Sequence, residues 1–202
     1  MINLERNKQE FIELYNKYIK REGAQDLLNW IQGTDFFTAP ASSQYHLAEE
    51  GGLCQHSLNV FWRLVKILST EYGNDFADLF NGMESIAIVS LLHDLCKADY
   101  YSLEMRNTKD KNGNWVQVPF YKKAEKFHFG HGAKSVYIIQ NFMQLDLDEA
   151  SAVRYHMGGM EIPGVIEPNV TAVYNEFPLA LYTHLADMMA SYVDERIINE
   201  NE

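Results

Sequence analysis

The fold is decided by residues 51–99, which read GGLCQHSLNVFWRLVKILSTEYGNDFADLFNGMESIAIVSLLHDLCKAD. Two helices are predicted here, and in residues 86–96 of the second the only strongly polar side chains are Ser90, His93 and Asp94. A helix without a polar face is expected to be buried. Since burying an unpaired carboxylate costs several kcal/mol or forces its protonation, the His-Asp pair needs hydrogen bonds, a cation or a metal.

Two distant residues favour the metal interpretation. His56 lies near the start of the preceding helix, on an inward face marked by Leu53 and further apolar residues at helical spacing. Asp187 is the only acid in the apolar run of residues 179–193, and His184, one helical turn earlier, is expected to orient its carboxylate. Two imidazoles and two carboxylates can hold a divalent transition metal and leave room for water or substrate. A hydrogen-bonded core network is the alternative.

The order H…HD…D resembles the HD-domain superfamily of metal-dependent phosphohydrolases. The resemblance covers residues 45–190 and is most similar to the HD domain of bacterial 3′-to-5′ exoribonucleases. It extends to further motifs: Gly51-Gly52-Leu53, Lys97, Gly130-His131, Tyr155-His156 and Leu185-Ala186-Asp187. The chain differs in showing no nucleic-acid-binding domain beside this region and in having Tyr155 where those enzymes tend to show a second histidine. These differences weaken the transfer of the family's substrate to this chain more than the transfer of its metal site.

The resemblance implies a metal-dependent phosphohydrolase that attacks a nucleotide or short oligonucleotide phosphoester with metal-bound water. Its expected ligands are His56, His93, Asp94 and Asp187. The expected cofactor is a divalent ion (Mn, Fe, Co, Ni, Zn or Mg), with two ions as a possibility. A metal lowers the pKa of bound water and polarises a phosphoryl oxygen, which suits this hydrolysis.

Three further residues are candidates for catalysis. Lys97, four residues beyond His93 on the same face, can meet a substrate phosphate, although a surface lysine often ends a helix. His131 and His156 can bind phosphate, donate a proton to the leaving group, or bind a second metal as in binuclear HD proteins. Ordinary helix-terminal histidines are the alternative for both, and His128 is expected at the surface.

A β-hairpin is predicted directly after the ligand pair, with a two-residue turn at Asn112-Gly113. The segment 97–126 carries a net charge of +3, whereas the chain as a whole is at −11. We predict that residues 99–127 form a lid that selects the substrate, and a purely structural flap is the alternative. Lid aromatics include Phe120, Tyr121 and Phe127, and the candidate substrate-binding residues are Tyr100, Tyr101, Trp115 and Arg154.

The predicted fold is an all-α helical bundle of the HD type with this small hairpin inserted. Residues 1–202 are expected to form one domain, with N-terminal helices and a loop (1–44), an HD core (45–190) and the hairpin insertion (99–127). Capping boxes are predicted at Asn81 to Glu84 and at Asp146 to Glu149. The helix after Asp146 is expected to end at Gly158-Gly159, and Pro178 suits a helical first turn.

The composition limits the kinds of binding partner that are expected. A net charge of −11 opposes attraction to long nucleic acids, so a small phosphorylated substrate is expected. No signal-peptide core and no run of about 18 apolar residues is visible, so we expect a cytoplasmic protein without a membrane span. Cys54 and Cys96 are expected to be buried reduced thiols, and Cys96 lining the pocket is an alternative.

Two other functions fit the same residues. A non-catalytic module that binds or senses a nucleotide would keep the helices and the ligands without turnover. A di-iron HD oxygenase would use additional His and Asp ligands. Phosphate release in the presence of added divalent metals separates the first alternative from the enzyme, and bound iron at two per chain without phosphatase activity would indicate the second.

Overall fold

The computed structural model describes residues 2–124, 129–159 and 169–195, and these are mostly helical. Within those ranges there are eight α-helices and one two-stranded antiparallel sheet. In chain order the elements are α1 (Leu4–Tyr18), α2 (Ala24–Gln32), α3 (Gly52–Tyr72), α4 (Gly82–Leu92), β1 (Tyr101–Lys109), β2 (Trp115–Lys123), α5 (His131–Gln140), α6 (Leu147–Arg154), α7 (Val170–Glu176) and α8 (Pro178–Met189). The prediction of a helical protein with one hairpin is confirmed.

Helix α3 lies at the centre of the packing, where it contacts α1, α4 and α8. Its predicted inward face is correct, because Leu53, Val60 and Leu64 are fully buried and His56 on the same face is 1% exposed. Helix α8 also packs on α6, and α6 packs on α5. Hydrophobic burial of α3 therefore holds together the elements that carry the candidate ligands.

Helix α4 is buried on all sides, as its sequence predicts, with every residue from Ile86 to Leu92 essentially inaccessible. The helix nevertheless ends at Leu92, so the prediction that His93 and Asp94 lie inside it is wrong. His93 Nδ1 lies 2.8 Å from the carbonyl oxygen of Ser90, the oxygen that the Asp94 N–H would need to continue the helix. A short 3₁₀ turn, Leu95–Lys97, follows the pair.

The start of α4 differs from the predicted capping box. The helix begins at Gly82, but Asn81 adopts a left-handed conformation with φ of 56° and does not cap it. The Glu84 carboxylate instead accepts hydrogen bonds from the backbone N–H groups of Lys20 and Arg21, at 2.6 and 3.0 Å. Backbone N–H groups from the segment after α1 therefore bind the Glu84 carboxylate, which a capping box would have used locally.

The second predicted capping box, at the start of α6, is confirmed. The Glu149 N–H donates to Asp146 Oδ1 at 2.8 Å, and the Asp146 N–H donates to Glu149 Oε2 at 3.0 Å. Glu149 is fully buried and also accepts hydrogen bonds from Arg21 and from the Ser85 hydroxyl. This carboxylate therefore ties α6 to α4 and to the turn after α1.

Helices α5 and α6 approach closely at Gly132. A Cβ atom there would lie 2.3 Å from the carbonyl oxygen of Arg154 and 2.6 Å from that of Val153. Helix α6 ends at Arg154 and not at the predicted Gly158-Gly159, because His156 Nδ1 takes the Val153 carbonyl oxygen that a continuing helix would use. The contact brings His131, the first residue of α5, next to His156 in the turn after α6, with ring centroids 5.2 Å apart.

The hairpin is present, but its turn is longer than predicted. Lys109 pairs with Trp115, so residues 110–114 form a five-residue loop in place of a two-residue Asn-Gly turn. The Asp110 carboxylate accepts from the backbone N–H groups two and four residues later, at 2.8 and 2.9 Å, and Gly113 takes φ of 84°. An Asx-type turn at Asp110 thus replaces the tighter turn.

Several smaller predictions have clear outcomes. Pro178 occupies the first turn of α8, and Cys54 and Cys96 are buried free thiols. His128 and Phe127 of the predicted lid lie outside the described residues. Among the helices of the described ranges, none is long and apolar enough to cross a membrane.

We expect Gly132→Ala to destabilise the protein by about 1–3 kcal/mol, because the added methyl group meets rigid backbone of α6 and forces α5 outward. Denaturant unfolding monitored by circular dichroism measures this. Gln140→Ala on the exposed face of the same helix is the control and should change stability little. Equal stability of Gly132→Ala and the wild type would contradict the close approach.

Candidate metal centre

Six candidate side chains from five parts of the fold converge in the interior between α3, α5 and α8. His93 and Asp94 come from the end of α4, and four of the six are almost completely buried at 0–2% exposure. The set consists of His56 on α3, His93, Asp94, His131 at the start of α5, His156 after α6 and Asp187 on α8. All four predicted ligands therefore lie together, and two of the three predicted catalytic residues, both histidines, join them.

Asp94 lies at the centre of this cluster. Its Oδ1 is 2.5 Å from His131 Nε2 and 3.4 Å from His156 Nε2. Its Oδ2 is 3.5 Å from His93 Nε2 and 3.7 Å from His56 Nε2. Each carboxylate oxygen thus faces a different pair of imidazoles.

Asp187 completes the side nearest α3. Its Oδ1 lies 3.1 Å from His56 Nε2, and His56 Nε2 is 3.2 Å from His93 Nε2. Four ligand atoms around a tetrahedral ion with metal–ligand distances of 2.0–2.1 Å are about 3.3 Å apart. The spacing of these nitrogen and oxygen atoms is therefore close to that of a first coordination shell.

The four ring Nε2 atoms converge because each Nδ1 atom is engaged elsewhere. A neutral imidazole that donates its Nδ1–H presents a lone pair on Nε2, the form needed for metal binding. The Nδ1 partners are the Ser90 carbonyl for His93 (2.8 Å), the Val153 carbonyl for His156 (2.7 Å), the Cys96 thiol for His131 (3.2 Å) and the Glu195 carboxylate for His56 (2.9 Å). The backbone and side-chain partners thus point all four Nε2 atoms inward.

The protonation of the cluster reflects burial and mutual charge. Burial opposes protonation of His56, but hydrogen bonds to Asp187 and Glu195 outweigh it and raise its pKa to about 10. Burial lowers the pKa of His93, and it lowers that of His131 to about 4. Without a cation in the centre, one imidazole must therefore carry the proton that balances the carboxylates.

The two aspartates stay ionised despite their burial. Burial acts to raise the pKa of Asp94, but the charge of Lys97 and the facing imidazoles hold it well below its usual range. For Asp187, the hydrogen bond with His56 likewise outweighs burial and keeps the pKa low. Two carboxylates that remain charged in the interior are suitable ligands for a cation.

The donor set fits a divalent transition metal. His156 Nε2 is buried and makes no hydrogen bond to any described residue, although Asp94 Oδ1 is 3.4 Å away. An unsatisfied buried nitrogen of this kind is rare unless a ligand occupies the site. Three-residue groups that can hold an ion include His56, His93 and Asp94 on one side and Asp94, His131 and His156 on the other.

Lys97 and the hairpin base lie beside the cluster. Lys97 Nζ is 2.6 Å from Asp94 Oδ2, and burial, which lowers its pKa, is outweighed by this carboxylate, so the pKa is raised and the charge is kept. Tyr101 is half-buried next to Lys97, and burial raises its pKa to about 12. The Tyr100 and Tyr101 rings are 5.0 Å apart, and Lys134 Nζ lies 5.1 Å from the Tyr100 ring.

Trp115, one of the predicted substrate-binding residues, lies away from the cluster. Trp115 is 71% exposed at the far end of the hairpin, eight strand residues or about 26 Å from the base at Tyr101. Arg154 ends α6, and its guanidinium lies over the Tyr155 ring at 4.9 Å. The fold does not bring Trp115 to the cluster.

His184 contacts a different partner from the one predicted. Its Nδ1 lies 2.6 Å from the backbone oxygen of His156, and its ring stacks near Tyr174. The expectation that His184 orients the Asp187 carboxylate is therefore wrong, because its ring nitrogen reaches the turn that carries His156. It still supports the cluster, through His156.

Sequence reasoning missed the outer layer around His56. Glu195 binds its Nδ1, and Asn59, one turn later on α3, donates to the same carboxylate at 2.9 Å. His46, in the loop before α3, is half-buried with its ring 4.9 Å from the His56 ring. The sequence carried no signal for the Glu195 contact, because a π-helical turn, Ala190–Asp194, interrupts α-helical spacing between Asp187 and Glu195.

No family model, curated protein or solved structure matches the chain.

The metal-free protein should lose stability as the pH rises above neutrality. The unfolded chain releases the His56 proton near its ordinary pKa of 6.5, whereas the folded protein keeps it up to about 10. The free energy of unfolding should therefore fall by about 1–2 kcal/mol between about pH 7 and pH 8.5. Denaturant unfolding with a chelator present measures this. His56→Gln should remove the slope, and a wild-type stability that rises over this range would contradict the assignment.

Proposed function

We propose that this chain is a metal-dependent phosphohydrolase of the HD-domain type that acts on a phosphoester of a nucleotide or short oligonucleotide. The observation that carries the proposal is the buried convergence of four imidazole Nε2 atoms and two ionised aspartates. The order H…HD…D along the chain and the mostly helical fold with one hairpin support the HD assignment.

Two groups of residues in the cluster would each be able to hold an ion, and Asp94 belongs to both groups. His56, His93 and Asp187, with Asp94 Oδ2, would hold one ion. His131 and His156, with Asp94 Oδ1, would contribute to the second. A divalent ion in these positions supplies an activated water and polarises a phosphoryl oxygen.

The surrounding residues prepare the site for an anionic substrate. Lys97 keeps its charge at the edge of the cluster with 12% of its side chain exposed, so its ammonium can contact a phosphate oxygen. His131, whose pKa is lowered to about 4, is neutral at physiological pH. Of the three roles considered for His131 and His156, metal binding therefore fits better than proton donation for His131.

The hairpin supports recognition of a nucleotide at its base. Asp99 and Asp35 exchange backbone-to-carboxylate hydrogen bonds that fasten the start of the hairpin to the loop after α2. Tyr100 and Tyr101 then lie next to Lys97, where an aromatic ring can stack on a base whose phosphate reaches the cluster. The net positive charge of residues 97–126 favours such a ligand in an otherwise acidic chain.

One alternative is favoured by a specific observation. A di-iron oxygenase would use the same bridging aspartate with histidines on both sides, as Asp94, His131 and His156 provide. Bound iron at two per chain with no phosphate release from any nucleotide would favour the oxygenase. Phosphate release that depends on Mn²⁺, Mg²⁺, Co²⁺ or Ni²⁺ would favour the hydrolase, and nucleotide binding without turnover would indicate a sensing module.

Asp94→Ala should abolish metal binding and lower phosphohydrolase activity at least about 100-fold, because it removes the group that faces both ions. Elemental analysis of protein purified without chelator and a phosphate-release assay give the two readouts. Asp94→Asn keeps the side-chain volume and should show the same losses, whereas Asp78→Ala at the surface should show neither. Full metal content in a folded Asp94→Ala protein would refute the ligand assignment.

Removing most of the hairpin tests whether it selects the substrate. Leu103 pairs with Tyr121, so a short Gly-Ser linker in place of residues 103–121 shortens both strands in register. The variant should keep its metal and hydrolyse a generic phosphodiester, but lose about 10-fold or more in kcat/KM for nucleotides, because Tyr101 loses its packing against the Tyr121 ring and is no longer held in position to stack on a base. A Gly-Ser replacement of residues 110–114 alone is the control. Undiminished nucleotide hydrolysis would show that the hairpin is only structural.

A further inference from the structure

We infer that Glu195, together with Asn59, is a positioning residue that holds His56 in the tautomer and orientation needed for metal binding. The inference rests on the proposed metal centre and adds a group that does not itself belong to the ligand set. Glu195 reaches the cluster only through His56, because its carboxylate lies on the Nδ1 side of the ring while the ligand nitrogen is Nε2.

The contact between Glu195 and His56 is buried, and a second hydrogen bond holds the carboxylate in place. Glu195 Oε1 and Oε2 lie 2.9 and 3.2 Å from His56 Nδ1, and Glu195 is 8% exposed. The Asn59 side-chain amide donates to the same Oε1 at 2.9 Å. Two donors thus hold the carboxylate in place, and Asn59 comes from the same helix as His56, one turn later.

The chain reaches this position through an irregular turn. After α8 the backbone forms a π-helical turn, Ala190–Asp194, and the Glu195 N–H donates to the Ala190 carbonyl at 2.9 Å. Asp194 pairs with Arg63 on α3, which fastens the turn against that helix. One continuous segment therefore places Asp187 at Nε2 of His56 and Glu195 at its Nδ1.

The chemistry of the partner distinguishes His56 from the other three site histidines. In the part of the chain that the structure describes, His93 and His156 use backbone carbonyls at Nδ1 and His131 uses a thiol, whereas His56 uses a carboxylate. A carboxylate accepts the Nδ1–H more strongly than a carbonyl, and it raises the basicity of the metal-binding nitrogen. The ion nearest α3 should therefore depend on Glu195, and the ion at His131 and His156 should not.

The test compares Co²⁺ binding by Glu195→Ala, Glu195→Gln and the wild type, followed by the visible absorption of the bound ion. We expect Glu195→Ala to weaken Co²⁺ binding at the site nearest α3, where His56 lies, about 10- to 100-fold. Glu195→Gln should recover most of that loss, because its amide oxygen can still accept the Nδ1–H. Glu71→Gln, which neutralises an exposed acid on α3 far from His56, is the matched control and should bind Co²⁺ like the wild type.

A second measurement needs no substitution. In the Zn²⁺-loaded wild type, the ¹⁵N imidazole spectrum should show His56 with a protonated Nδ1 that exchanges slowly and a metal-bound Nε2. If Glu195 gave only structural support, His56 would not need to adopt this tautomer, and Glu195→Gln would not need to restore Co²⁺ binding. Metal bound through Nδ1 of His56 would overturn the inference even if the Glu195→Ala protein failed to fold.

The outcomes separate this inference from the proposed function. If the wild type takes up neither Co²⁺ nor Zn²⁺, the metal centre itself is wrong, and both proposals fail. If the wild type binds metal and Glu195→Ala binds it with equal affinity and an unchanged His56 signal, only the positioning role fails. Weaker Co²⁺ binding by Glu195→Ala, with most of the affinity restored in Glu195→Gln, supports the positioning role of Glu195.

Discussion

Asp94 is a charged carboxylate that is 2% exposed, and the arrangement around it follows from the need to compensate that charge. Lys97 approaches from the next turn, His131 from α5, His156 from the turn after α6, and His93 from the preceding residue. Removing any of these elements would leave the charge less compensated. The packing of α5 against α6 at Gly132 and of α6 against α8 therefore brings the compensating side chains to the Asp94 carboxylate.

The candidate ligands cluster at the ends of helices, and this has a physical cause. His93 and His156 both use Nδ1 to bind the backbone oxygen three residues earlier, Ser90 and Val153, near where α4 and α6 end. A ring that takes up such a terminal carbonyl satisfies the helix end and, in the same contact, directs Nε2 away from it. At His93 and His156, the same hydrogen bond therefore ends the helix and orients the Nε2 atom of the ring.

Charge is distributed unevenly between the site and the rest of the chain. The described surface of an acidic protein would repel a phosphate, but Lys97 and Lys134 both lie at the hairpin base, close to Asp94 and Tyr100. The exposed strands beyond that base carry Leu103, Met105 and Trp115 into solvent. A small anionic ligand at the base would meet both the local positive charge and the aromatic rings.

The sequence by itself determined the helical class, the hairpin, the burial of α4 and the four predicted ligands, whereas His131 and His156 were candidates through the resemblance to the HD family. Those conclusions depend on periodicity and on the rarity of acids in apolar helices, which are local properties. Only the tertiary structure decided that α4 stops at Leu92, that Glu84 binds the Lys20 backbone, that His184 supports His156, and that Glu195 meets His56. Each of these depends on which distant group competes for a carbonyl, a carboxylate or a ring nitrogen, and spacing along the chain does not encode that competition.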